Sequence, residues 1–257
     1  MQEMALVSRD RRLRVLGVPV DAVGMSDTLA WVEHRISTRE PGTHLCVNAA
    51  NVVRAHDDPE YLALLERGDL IGCDGQPFVW AARMLGHPLP ERVAGIDLME
   101  EILKRARHTG WKIFLLGAKP HVVERLSARL RAEGVNIAGY RDGYFDRSEE
   151  PRILEQIRES GADVLFVGMP TPDKERFIID GGCLTGVPVC IGVGGSFDVL
   201  AGELRRAPRA LQRMGLEWLF RLVQEPRRLF RRYAVTNTKF VVLVLRAVLQ
   251  RPRANRT

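Results

Sequence analysis

Six short apolar runs punctuate the chain: His44-Leu-Cys-Val-Asn48, Asp69-Leu-Ile-Gly-Cys73, Lys112-Ile-Phe-Leu-Leu-Gly117, Val135 to Gly139, Asp163-Val-Leu-Phe-Val-Gly168 and Pro188-Val-Cys-Ile-Gly-Val193. Each has the length of a strand, is apolar nearly throughout rather than alternating, and stands between stretches of helical periodicity. Strands that are apolar on both sides belong to a sheet covered on both faces, so the pattern predicts an α/β fold: a Rossmann-like, mainly parallel sheet with helices on both faces. Start signals mark the connecting helices. Asp58-Pro59-Glu60 places a cap before a proline at the first helical position, Asp97-Leu-Met-Glu100 has capping-box spacing, and Thr171-Pro172 repeats the cap-then-proline signal. No internal repeat or low-complexity stretch interrupts this order.

In open parallel sheets the ligand sits beyond the carboxyl ends of the strands. The residues that follow the runs are therefore the candidates for chemistry: Asn48, Asp74-Gly75-Gln76-Pro77, Gly117-Ala118-Lys119, Gly168-Met169-Pro170 and Gly194-Gly195-Ser196-Phe197-Asp198. A carboxylate at a strand end before a glycine turn is fixed in place yet open to a cleft, which suits Asp74 to general-base work; the same Asp-Gly pair also builds ordinary turns. Asn48, a neutral donor and acceptor, fits a sugar hydroxyl or the orientation of a base, or is itself a turn residue. Gly194 and Gly195 either cradle a diphosphate on free N–H groups or make a tight strand-to-helix turn. Asp198 and Asp142 are candidates for hydroxyls of a ligand, and Gln76 and Gly117 share the strand-end position.

Several chemistries lack their residues. Phe197 stands where the last glycine of a dinucleotide fingerprint is required, which weakens a nicotinamide-cofactor reading. There is no P-loop, no G-x-S-x-G elbow, no H-E-x-x-H helix and no Asp-x-Asp pair, and the six histidines are scattered. The four cysteines, Cys46, Cys73, Cys183 and Cys190, form no C-x-x-C pair, and three of them lie in apolar runs, as expected in a reducing compartment without structural zinc. Glu3, Arg9, Asp10, Arg11 and Arg12 interrupt the N-terminal stretch, so no secretory signal is expected there.

Charge changes the picture more than composition does. The 257 residues, 46% hydrophobic and 27% charged, carry a net +6, enough chain for one α/β domain with an appendage. Residues 205–257 hold 14 Arg or Lys against Glu217 and Glu225, about +12, which leaves residues 1–204 at about −6. The expected division is a domain over 1–204, its fold beginning near residue 13, and a basic helical appendage over 205–257. From Leu222 onward, Leu222, Leu229, Phe230 and Tyr233 follow helical spacing, with Arg221, Arg228 and Arg232 along another stripe. Such a helix lies on an anionic membrane, folds its arginines over a phosphate-bearing substrate, or packs on the core with arginines in solvent. The longest apolar run, Phe240 to Leu249, is broken by Arg246 and is too short to span a bilayer.

The motifs Val47-Asn48-Ala49, Asp58-Pro59-Glu60-Tyr61, Asp74-Gly75-Gln76-Pro77, Arg92-Val-Ala-Gly95-Ile-Asp97-Leu, Gly139-Tyr-Arg-Asp-Gly-Tyr-Phe145 and Val193-Gly-Gly-Ser-Phe-Asp198 occur in this order. They continue through Ala201-Gly-Glu203, Arg206-Ala-Pro208, Gly215-Leu-Glu-Trp218 and Glu225-Pro-Arg-Arg-Leu-Phe-Arg-Arg-Tyr233. Together they resemble the WecG/TagA/CpsF glycosyltransferases over roughly residues 13 to 250. The resemblance implies an inverting enzyme that moves a sugar from a UDP-sugar to an undecaprenyl-diphosphate-linked sugar, without metal or other cofactor. It implies Asp74 as base, Asn48, Arg92 and Asp97 shaping the cleft, and an appendage that closes the site and touches the inner face of the plasma membrane from the cytoplasm. N-acetylmannosamine, its uronic acid and glucose remain open as donor sugars. One departure is visible: the family often has Pro-Lys-Gln-Glu after the fifth strand, and this chain has Pro172-Asp173-Lys174-Glu175. A lysine in a first helical turn opposes the helix dipole, so Lys174 either meets a diphosphate or is solvated and paired with Asp173 or Glu175. An NAD-linked sugar-nucleotide oxidoreductase and a basic nucleic-acid-binding module are the alternatives, although no nucleic-acid fold accompanies the basic tail and nucleic acid is not an expected partner.

Overall fold

The computed structural model describes residues 11–250, apart from the side chains of Arg213, Arg228 and Arg232. Glu3, Arg9 and Asp10 of the N-terminal stretch lie outside the described residues. A hairpin, β1 (Arg12–Val15) and β2 (Val18–Asp21), precedes a sheet of β3 (Gly42–Val47), β4 (Leu70–Cys73), β5 (Ile113–Gly117), β6 (Ile137–Arg141), β7 (Val164–Gly168) and β8 (Val189–Gly192). The spatial order is β4-β3-β8-β7-β5-β6, and each neighbouring pair is parallel. All six apolar runs are strands of this sheet. β6 starts later than the pattern predicts because Val135 donates its N–H to Leu130 O, closing the preceding helix, and buries its side chain from the loop.

Side chains alternate between two apolar layers. On β7, Leu165 and Val167 enter one layer with Leu45, Val47, Phe78 and Phe177, while Val164 and Phe166 enter the other with Leu115, Ile102, Ile191 and Phe197. Each fully buried side chain of this kind contributes about 1.5–3 kcal/mol relative to exposure, so the strand ends are held by both layers at once. That rigidity is what gives the loops after the strands defined starting points.

The hairpin is not predicted by the apolar pattern, because Arg12, Arg14 and Pro19 interrupt its four-residue strands. Its turn places Leu16 and Gly17 at φ 51 and 80, two left-handed residues in succession. Buried Asp21 accepts from Arg12 Nε and Nη2 at 2.9 Å each and from the Ile71 N–H at 2.7 Å. Arg12 also donates to Gly68 O, so the hairpin is stapled beside β4, at the edge of the large sheet.

After β3, β4 and β7 the chain enters helical segments of the first layer, Ala49–Asp57, Gln76–Met84 and Asp173–Arg176 continuing into Phe177–Gly181. After β8 it enters Ser196–Leu200, which packs in the second layer through Phe197. Adjacent strands β3 and β8 thus send the chain to opposite faces, and their carboxyl ends part to leave a cleft.

Beyond residue 204 lie helices Arg209–Arg213, Glu217–Gln224 and Pro226–Gln250. The expected single helix from Leu222 onward is two helices. Pro226 disfavours helical backbone at the residue before it, and Glu225 takes φ −130 and ψ 59. The Pro226–Gln250 helix packs on Ala49–Asp57, with Leu229, Phe240 and Val244 buried and Lys239 paired to Asp57 at 2.7 Å. Among the described residues no helix is long and apolar enough to cross a membrane.

Two predicted helix starts differ from the sequence reading. Asp58 caps its helix by accepting from the Tyr61 N–H at 3.0 Å, as expected. The helix containing Asp97 begins earlier, at Gly95 with Ala94 as its cap, because the Asp97 carboxylate is engaged by Arg92 and Arg206 instead. Thr171 likewise does not cap its helix, since its hydroxyl donates to Glu175 Oε1 at 3.0 Å.

Candidate active site

Asp74 leaves β4 with its N–H donated to Val47 O at 2.9 Å, which ties it to the end of β3. Gly75 follows at φ 134, a conformation that side chains rarely adopt, and a Cβ there would stand 3.4 Å from Asn48 Cβ. The Asp74-Gly75 pair is therefore a strand-to-helix turn: Gly75 caps the Gln76–Met84 helix, whose first residue, Gln76, lies against Gly215 of the appendage. Asn48 is the cap of its own helix. Its Oδ1 accepts from the N–H groups of Ala50 and Asn51 at 2.9 and 3.3 Å, so only its Nδ2 is left without a partner among the described residues.

Arg92 is brought to Asp74 by a backbone bond: the N–H of Val93 donates to Cys73 O at 2.8 Å. Its guanidinium reaches Asp97 at 3.3 Å and Glu217 of the appendage at 2.9 Å. Asp97 also pairs with Arg206, which reaches Glu100 at 3.3 Å. An ion ladder Glu217–Arg92–Asp97–Arg206–Glu100 thus joins the Gly95–Thr109 helix to the appendage. That helix begins close to β8, where a Cβ on Gly95 would lie 3.5 Å from Gly192 O.

Across the cleft, Gly194 takes φ 52 with open space around it, and Gly195 caps the Ser196–Leu200 helix. The guanidinium of Arg221 lies on this turn, with Nη2 3.4 Å from where a Gly195 Cβ would be. Among the described residues no carboxylate pairs with Arg221. Asp198 sits in the first turn of the short helix that follows.

Lys174 is buried, contrary to the solvated reading. Its stem runs over Gly192 at the end of β8, and its Nζ pairs with buried Glu175 at 3.2 Å. Glu175 Oε1 further accepts from Tyr61 and Thr171, and Asn51 donates to the Tyr61 hydroxyl. A four-residue helix under the strand ends has no solvent face to offer a lysine at this position.

These groups set the proton affinity of Asp74. Burial raises its pKa above the ordinary carboxylate value, Arg92 opposes the rise, Glu217 adds to it, and Arg221 and Lys174 oppose it further. The result is a carboxylate whose hold on a proton is tuned by four charges from three separate parts of the chain.

Gly117 and Asp142 are not part of this cluster. The strand order places them on β5 and at the end of β6, four and five strands from β4, roughly 19 and 24 Å at ordinary strand spacing. Gly117, at φ 135, lets β5 approach the Gly168 backbone, where a Cβ would stand 2.5 Å away. Asp142 accepts from the Tyr144 N–H at 2.9 Å within its own turn. The side chains of Arg228 and Arg232 lie outside the described residues, and both positions belong to a different helix from Arg221.

The family model described as the glycosyl transferase WecG/TagA/CpsF family matches residues 13–254, nearly the whole chain. The chain belongs to this family. It is a glycosyltransferase, and the match includes both the sheet and the appendage.

In this WecG/TagA/CpsF member, the strand-end residues Asn48, Asp74, Gly194 and Gly195 frame one cleft together with Arg92, Lys174 and Arg221. Glu217 and Arg206 received no role from sequence reasoning, whereas Glu175 was expected only as a partner of Lys174, which it is. Glu217 carried a usable signal, since it precedes Arg221 by one helical turn and so shares its face. Among the described residues no group of three His, Cys, Asp or Glu side chains is placed to hold a metal ion.

Proposed function

We propose that the protein transfers a hexose-type sugar from a UDP-sugar to an undecaprenyl-diphosphate-linked sugar, with inversion, in cell-surface polysaccharide biosynthesis at the inner face of the plasma membrane. The observation that carries the reading is Asp74 at a strand end among Arg92, Arg221 and Lys174, opposite the Gly194-Gly195 turn. The acceptor hydroxyl gives its proton to Asp74, its oxygen bonds to the anomeric carbon from the face opposite the nucleotide, and the anomeric carbon–oxygen bond breaks to release UDP as an anion. Arg221, which no carboxylate among the described residues pairs with, and the N–H groups of the Gly194-Gly195 turn receive the departing diphosphate. Asn48, whose Cβ lies 3.4 Å from where a Gly75 Cβ would be, offers its Nδ2 as a neutral donor for a sugar hydroxyl. Transfer without metal belongs to the same reading, the arginines supplying the positive potential.

Membrane association draws support from the Pro226–Gln250 helix. Opposite its buried side it exposes Val235, Leu245 and Leu249, with Arg227 and Arg231 on the same outward side and exposed Phe230 and Val241 flanking it.

The test is transfer from a panel of UDP-sugars to a short-chain prenyl-diphosphate sugar, with and without chelator. Wild type is expected to use one donor in both conditions, and Asp74→Asn to lose about 10²–10⁴-fold in rate. The acid limb of the wild-type profile is expected above the ordinary carboxylate range, because the base must be ionised and its pKa is raised. No turnover from any donor would refute the reading, and full activity in Asp74→Asn would remove Asp74 from it.

A further inference from the structure

The helix Glu217–Gln224 touches the cleft at two points. Glu217 and Arg221 are one turn apart and would ordinarily pair with each other along the helix. Each instead engages the sheet domain: Glu217 takes Arg92 at 2.9 Å, and Arg221 lies on Gly195. The two contacts bracket Asp74. Arg92 is only 15% exposed in its side chain and Glu217 28%, so this pair is better shielded from solvent than an ordinary surface ion pair.

We propose that Glu217 is a positioning residue of the transfer site: by clamping Arg92 it seats the appendage helix so that Arg221 stays on the Gly194-Gly195 turn, and it keeps the Arg92 guanidinium from closing on Asp74. This rests on the transferase reading above. The geometry requires both halves. Arg92 has two anionic partners, Glu217 and Asp97, and Asp97 is shared with Arg206, so removing Glu217 leaves Arg92 one partner short while its charge still acts on Asp74. The same removal takes away the contact that holds the first turn of the helix bearing Arg221.

The charged groups around Asp74 are Arg92 from the loop before Gly95, Lys174 from the helix after β7, and Glu217 and Arg221 from the appendage. Glu217 raises the proton affinity of Asp74 and Arg92 lowers it. Neutralising Glu217 therefore lowers the affinity by loss of its own field, and removing its side chain lowers it further by release of Arg92. A base that ionises more readily moves its acid limb to lower pH and accepts the hydroxyl proton less well.

Two substitutions separate these effects. Glu217→Gln keeps a neutral acceptor for Arg92, and Glu217→Ala removes the contact. The readouts are hydrogen exchange over residues 216–224, affinity for UDP by calorimetry, and the pH dependence of kcat/KM with the donor found active. Expected for Glu217→Ala are faster exchange in that segment and an about tenfold or greater rise in the Kd for UDP, the size expected for a lost charge-assisted contact. Expected for Glu217→Gln is an acid limb displaced toward lower pH with a smaller change in UDP affinity. Unchanged exchange and UDP affinity in Glu217→Ala, together with an unmoved limb in Glu217→Gln, would overturn the assignment while wild-type turnover leaves the transferase reading intact. If wild type turns over no donor, that reading falls, and the clamp is decided by exchange and UDP affinity alone.

Discussion

At the scale of single residues, the molecule uses buried titratable groups for two unlike ends. Asp74, the proposed base, is raised in pKa inside the cleft, so its ionised form is a burden on the fold. The stability it contributes is full below its unfolded pKa and is lost as pH rises through its folded value. Asp74→Asn should accordingly gain in Tm over wild type as pH is raised to neutral, while losing activity; a Tm difference independent of pH would contradict this. His44 has no access to solvent, neither of its ring nitrogens has a hydrogen-bond partner among the described residues, and burial, with the charge of Lys174 added, pushes its pKa from 6.5 down to about 4. Between these values the unfolded chain binds the extra proton, so stability is full above 6.5 and falls as pH drops toward 4, by about 3 kcal/mol for one such group. His44→Leu should flatten the dependence of Tm on pH across that window, and an unchanged slope would show that other groups cause it. Asp74 and Gly195 were legible because each directly follows an apolar run, where the fold class alone directs attention. Lys174 was legible as a candidate but its burial was not, because the rule for first helical turns assumes a solvated helix, and this one is four residues long beneath β8. Glu217 was not, because its partner stands 125 positions away.

At the scale of elements, apolar runs located every strand of the parallel sheet, since burial on both faces leaves little choice of residue. The hairpin escaped because its hold on the sheet is polar: a bidentate Arg12–Asp21 pair with an additional bond to the Ile71 N–H. Asp21→Ala would leave Arg12 and that N–H without their acceptor, at a cost of about 3 kcal/mol. Glu66→Ala, which removes the exposed partner of Arg14, should cost less than about 1 kcal/mol. Urea midpoints compare the two, and similar losses would mean that the hairpin is not anchored through Asp21. The division of the basic tail into two helices was also missed. Apolar spacing runs through Glu225 without interruption, and only the backbone restriction imposed by Pro226 breaks it.

At the scale of the whole molecule, the appendage carries two kinds of contact. Its inner side joins the core through Phe240 and Val244, and its outer side leaves Leu245 and Leu249 at 53% and 83% exposure. Charging the outer side with Leu245→Glu and Leu249→Glu should weaken binding to phosphatidylglycerol vesicles by about tenfold or more, as expected for two lost apolar contacts. Tm should not move, because neither side chain is packed. Undiminished sedimentation with vesicles would place the membrane contact elsewhere. Composition made the division between an acidic sheet domain and a basic appendage visible at once, but which arginine faces the cleft depends on how each helix is seated.

That division of charge has a consequence for encounter. With about +12 over residues 205–257 and about −6 over the rest, the molecule is an electric dipole, and under the proposed membrane-associated function it would turn in the field of an anionic bilayer before touching it. Arrival is then governed by long-range attraction and slows as added salt shortens the screening length to about 8 Å. Departure in that reading would be governed by apolar contact and so depend little on salt. Ionic strength would thereby set how often the enzyme visits the surface, and the outer face of its last helix how long each visit lasts.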